Sequence, residues 1–76
     1  MPTLARLPGC TLTMYAMDHL PPHFHVRTAD GREALIELGT LAILRGSLRP
    51  RERADVMAWA RGNTLLLATR WKALNP

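Results

Sequence analysis

Seventy-six residues, 47% of them hydrophobic, make one small globular domain (residues 1–76) and leave too little interior for a large enclosed substrate cavity. The formal charge is +4 and the pI about 10.7, with nine of the ten basic residues arginine, which fits either an anionic partner (RNA, DNA or an acidic protein) or an ordinary solvated basic surface. The single Cys10 excludes an intrachain disulfide and a multi-cysteine zinc site, no apolar run is long enough to span a bilayer, and the first residues lack the charged start and apolar core of a secretory signal, so the expectation is a cytoplasmic protein with no membrane partner.

The first two-thirds of the chain reads as strands. From Cys10 to Ala16 apolar and polar residues alternate, the period of a half-buried strand, with Cys10, Leu12, Met14 and Ala16 on one face and Thr11, Thr13 and Tyr15 on the other. Pro21 and Pro22 donate no ladder hydrogen bonds and end the pairing in an extended loop. A second strand spans about His23 to Thr28, a turn follows at 29–32, and a third strand spans about Glu33 to Leu38. Gly39 and Thr40 turn the chain into a short fourth strand, Leu41 to Leu44, ending at Gly46. Phe24, Val26 and Thr28, with Ala34, Ile36 and Leu38, are expected to face the core. Tyr15, His23, His25, Arg27, Glu33 and Glu37 are expected on the opposite, open face.

The last third reads as helix. Pro50 suits a first turn; Glu52 and Asp55 near the start, and Arg70 and Lys72 near the end, match the helix dipole. Val56, Ala60, Asn63, Leu67, Trp71 and Leu74 form one stripe at helical spacing, flanked by Trp59 and Leu66, with a kink or break expected at Gly62-Asn63. Leu65 lies off the stripe and is a candidate self-association contact, so a homodimer is one assembly to consider. The expected fold is α+β: a small antiparallel three- or four-stranded sheet with one C-terminal helix packed on one face.

The segment 18–26, DHLPPHFHV, holds all three histidines of the chain around two prolines. Histidine is the side chain best suited to proton transfer near neutral pH and the commonest metal ligand. His23 and His25, two apart on a strand, project from one face with Cα atoms about 7 Å apart. With His19 and Asp18 from the preceding loop they make a candidate set of nitrogen and oxygen ligands for a divalent metal such as zinc, leaving a coordination position open. A second candidate chemistry is metal-free acid–base cleavage of RNA. His23 or His25 and Glu37 would then act as acid and base, and Arg27 would stabilise the developing charge. The plainer alternative makes the histidines hydrogen-bonding residues that hold the proline loop. Arg45, Arg49, Arg51 and Arg53 cluster at the approach to the helix and are the candidate residues for a nucleic-acid or protein partner.

The chain resembles the DUF4160 family of small bacterial proteins. The resemblance rests on Met1-Pro2-Thr3, on Gly9 ahead of Met14-Tyr15, on Asp18-His19-x-Pro21-Pro22-His23-Phe24-His25, on Gly46-x-Leu48 and on the spaced Trp59 and Trp71. It implies one member of a toxin–antitoxin-like pair, which binds a cognate small protein and RNA. The alternative is a small ribonuclease-like or metal-binding protein using the histidine segment. Helix positions where the family usually carries Glu, His, Glu and Asn hold Ala58, Asn63, Leu66 and Arg70 here, so a shared function would reside in the histidine segment.

Overall fold

The computed structural model describes residues 3–76; Met1 and Pro2, which open the first stretch of the resemblance, lie outside the described residues. Five strands form one antiparallel sheet in sequence order: β1 (Thr3–Leu7), β2 (Cys10–Thr13), β3 (His23–Thr28), β4 (Glu33–Glu37) and β5 (Ile43–Gly46). Two helices follow, α1 (Pro50–Arg61) and α2 (Thr64–Leu74). The α+β class is as expected, but the count of three or four strands and one helix is corrected to five and two.

The extra strand is β1, which turns into β2 through Pro8-Gly9, with Leu7 paired to Cys10 and Gly9 at φ +80°. Its register slips between Thr3 and Ala5. A bulge of that kind breaks the two-residue period by which a strand is recognised. The single expected helix divides at Gly62-Asn63, where Gly62 caps α1 in the right-handed region and Asn63 leaves the helical path. Asn63 has φ −133° and its side-chain amide donates to the Trp59 carbonyl oxygen at 2.8 Å, closing the end of α1. The first strand also ends earlier than the pattern predicts, at Thr13, so Ala16 is exposed instead of facing the core.

Alternation otherwise decides the core. Cys10 and Leu12 of β2, Phe24 and Val26 of β3, and Ala34 and Ile36 of β4 are buried against Val56, Met57, Ala60, Leu67 and Trp71. Burying each larger aliphatic or aromatic side chain contributes about 1.5–3 kcal/mol relative to exposure. Cys10 lies within this layer, and burial pushes its thiol up from the usual range, so it serves as a small apolar residue. No helix among the described residues is long and apolar enough to cross a membrane.

An ionic network ties the β3–β4 turn to the start of α1. Arg32 donates through Nη2 to both Glu52 carboxylate oxygens at 2.9 Å and through Nε to Asp30, while Glu52 Oε1 accepts the Arg49 amide at 2.8 Å. The Thr28 hydroxyl and Arg32 hydrogen-bond the Asp30 carboxylate and hold its pKa down at about 2, against 3.8 normally. Because the folded value is the lower one, the stability Asp30 contributes is present above about pH 4 and is lost as pH falls toward 2. Urea unfolding at pH 5 and at pH 2.5 should show Asp30→Asn closing part of the wild-type gap between the two conditions. An unchanged gap would remove Asp30 from the acid response.

Candidate metal centre

The site forms where the β2–β3 loop folds back over the start of β3. His23 and His25 pair across to Glu37 and Leu35 of β4; His23, expected on the open face, is instead covered by Trp71 of α2 and by the loop residue His19. Tyr15, from the loop, meets the His25 ring edge-on with centroids 4.6 Å apart. Asp18 is carried over the same two rings. Its amide donates to Asn75 Oδ1 at 2.8 Å, and Asn75 Nδ2 donates to the Tyr15 carbonyl oxygen at 3.2 Å, so the residue after α2 anchors both ends of this part of the loop. Met17, just before Asp18, lies in the left-handed region at φ +57°, a conformation that costs a side-chain-bearing residue about 1–2 kcal/mol. The Leu20–Pro21 peptide is cis.

Both histidines direct Nε2 at one carboxylate oxygen. Asp18 Oδ2 is 2.9 Å from His25 Nε2 and 3.0 Å from His23 Nε2. His25 makes a hydrogen bond there, whereas His23 lacks the alignment of one. The His23 ring is fully buried, beside the Trp71 indole at a centroid distance of 5.4 Å. Its Nδ1–H donates to the Pro21 carbonyl oxygen at 2.7 Å, so this ring nitrogen carries a proton. The other ring nitrogen, Nε2, thus lies 3.0 Å from a carboxylate oxygen with no hydrogen bond between them. His25 Nδ1 is likewise buried without a hydrogen-bond partner, 3.5 Å from Glu33 Oε2. Burial raises the Asp18 pKa, but the His25 hydrogen bond, the His19 amide and the two nearby imidazoles outweigh it, and the net shift is downward. Asp18 is therefore held as a carboxylate.

One donor atom each from Asp18, His23 and His25 lie within 4.8 Å of one another. Two imidazole nitrogens and a carboxylate oxygen suit zinc and its first-row neighbours, and three protein ligands leave room for a further one.

The profile of a family described as a domain of unknown function, DUF4160, matches residues 9–72. The chain belongs to the DUF4160 family. No curated protein and no solved structure matches it. In this DUF4160 chain the matched region takes in Asp18, His23 and His25 and stops short of Asn75, the residue that holds the loop.

The remaining candidates fall in different places. His19 stands outside the group of three: its exposed ring stacks on His23 at 4.9 Å, with Nε2 3.7 Å from the other Asp18 oxygen. Glu37 is half-buried, pairs with His23 across the strands and accepts the Thr40 hydroxyl at 2.5 Å, and it is not one of the group of three. Arg27 lies two residues beyond His25 on the same face of β3 and is exposed.

The four arginines do not all converge: Arg49 and Arg51 line one groove, and Arg45 and Arg53 lie elsewhere. Arg45 pairs with Leu35 across β4 and β5 and so belongs to the open sheet face. Arg49 reaches Asp30 at 3.5 Å. Arg51 and Arg53, about 200° apart around α1, line separate grooves, one with Leu7 and Pro8 and the other with Leu48 and Arg61. Sequence reading missed Asn75 and the Trp71 wall, each more than forty-five residues from the histidines, where no spacing rule applies.

Proposed function

We propose that this protein binds one divalent transition-metal ion, zinc in the first instance, through Asp18, His23 and His25. The observation that carries the reading is His23 Nε2: fully buried, without a hydrogen-bond partner, on a ring whose other nitrogen is held by the Pro21 carbonyl, and 3.0 Å from a carboxylate oxygen. A buried polar atom left unsatisfied costs about 1–3 kcal/mol, and a metal ion held by both the nitrogen and the carboxylate oxygen would satisfy it. If His23 were only a structural histidine, its second nitrogen would be expected to find a hydrogen-bond partner.

With its remaining coordination position, a bound zinc ion would polarise a ligand oxygen or lower the pKa of a bound water. The chain's own residues orient the site. Pro21 fixes the His23 ring, Asn75 fixes the Asp18 backbone and Tyr15 packs on His25.

The test is a titration of metal-free protein with zinc against a chromophoric chelator. One ion per chain is expected for the wild type, with the stoichiometry lost in His23→Gln, a variant that keeps a polar side chain in the buried position. Absence of stoichiometric binding by a folded wild-type protein would overturn the reading.

The place in a toxin–antitoxin-like pair, with a cognate small protein and RNA as partners, we carry as a proposal beside this one. What supports it is the exposure of Arg45, Arg49, Arg51 and Arg53. A cytoplasmic location fits the one buried, unpaired thiol of Cys10.

A further inference from the structure

The open face of the sheet carries more than the histidines. Read across the strands, Arg6, Thr11, Arg27 and Glu33 stand in one row, and Thr3, Thr13, His25 and Leu35 in the next. Residues directly opposite one another in antiparallel strands share a face, so these rows form one surface. A groove of about 430 Å³ runs over it, lined by Arg6, Arg27, Thr11, Thr13, Tyr15 and Glu33 among others. It is nucleotide-sized rather than protein-sized. Two of its walls are also walls of the metal centre: Tyr15 packs edge-on against His25, and Glu33 Oε2 is 3.5 Å from His25 Nδ1.

The arginines of this groove stand apart from the ionic network elsewhere. The Arg–carboxylate ion pairs among the described residues engage Arg32 and Arg49, and neither Arg6 nor Arg27. Both are exposed. Two guanidinium groups and three threonines on one concave surface supply the kind of donors that grip tetrahedral oxyanions, arginine doing so bidentately. The lone carboxylate, Glu33, disfavours an anion at its own end of the row and leaves the Arg6–Thr11–Arg27 end as the cationic one. A ligand lying along the rows would have its anionic group there and its neighbouring atoms at His25.

We infer that this groove binds a phosphate ester and delivers it to the Asp18–His23–His25 centre. The inference deepens the metal-site reading by naming the ligand class and rests on that reading only for the delivery step. The phosphate could come from a small phosphorylated molecule or from a nucleic-acid backbone; the groove chemistry is the same for both.

The experiment is calorimetric titration of zinc-loaded and of metal-free protein with two probes, inorganic phosphate and a single-stranded RNA tetranucleotide. Each is titrated into the wild type and into Arg6→Ala/Arg27→Ala, with zinc stoichiometry and circular dichroism measured on the same samples. The double variant removes exposed side chains only and should remain folded. The expected result is at least one probe bound by the wild type, with affinity reduced about tenfold or more in the double variant while zinc stoichiometry is unchanged. Zinc loading should tighten the wild-type interaction.

Inorganic phosphate bound without the tetranucleotide would assign a small phosphorylated ligand. Tighter binding of the tetranucleotide, weakening with salt, would assign a nucleic-acid backbone. If no zinc binds but phosphate affinity still drops in the double variant, the groove stands and the delivery step falls. If neither probe binds, or the double variant binds both as the wild type does, the inference is overturned.

Discussion

Gly46→Ala is expected to lower the unfolding free energy by about 3 kcal/mol, a large share of the total for a domain of this size. Gly46 ends β5 at φ +78°, in the left-handed region that a side chain disfavours. Sterics add to this. A Cβ there would lie 2.0 Å from the Glu33 carbonyl oxygen and 3.0 Å from the Ala34 Cα. Both obstacles are backbone of β4, to which Gly46 is paired through Ala34, so relief requires the strands to separate. Gly31→Ala separates the two contributions. Gly31 has φ +90° and nothing within 4 Å of its Cβ position, so it should show the conformational part alone, about 1 kcal/mol. Urea unfolding of the three proteins side by side decides it. Equal losses at Gly46 and Gly31 would mean that the β4–β5 contact yields without cost.

Asp18→Asn is expected to weaken zinc binding by about 100-fold or more while changing the stability of the metal-free protein by less than about 1 kcal/mol. The substitution keeps the shape of the side chain, an oxygen for His25 Nε2, and the backbone amide that donates to Asn75. It removes the negative charge from the oxygen that both imidazoles face. Asn75→Ala leaves all three ligands and releases the Asp18 amide and the Tyr15 carbonyl, so its expected loss is about tenfold. Competition titrations with a chelator give both affinities, and urea unfolding of the metal-free proteins gives the stabilities. If Asp18→Asn bound zinc as the wild type does, the carboxylate would not be a ligand. If it unfolded the metal-free protein, Asp18 would be a structural residue first.

The two variants also mark what could be read from the chain and what could not. The three proposed ligands fall within eight residues, and the two histidines share a face because they are two apart on a strand; local geometry suffices. The alternation in β2, β3 and β4 identified the core face for the same reason. That rule placed His23 on an open face, yet it is fully buried. Its cover comes from His19 in the loop and from Trp71 in α2, and no periodicity within β3 encodes either. Leu35 is buried on that face too, between its partners His25 and Arg45. β1 was hidden by its bulge, although Pro8-Gly9 marked its turn. The break between α1 and α2 was visible as Gly62-Asn63, but whether it would bend or divide the helix depended on the Asn63–Trp59 hydrogen bond. The arginines look contiguous as letters. A helix turns each residue about 100° from the last, and that rotation separates Arg51 from Arg53.

The tie between Asn75 and the loop has a consequence for how the centre comes into being. The histidine pair and the Asp18 carboxylate are synthesised early, but the side chain that anchors Asp18 follows it by 57 residues. On a ribosome the sheet strands emerge first, and the proposed ligands lack their anchor until the last turn of α2 has left the exit tunnel and docked. The proposed centre is thus complete only once Asn75 has docked on a loop made 57 residues before it, which couples tight metal binding to the seating of α2.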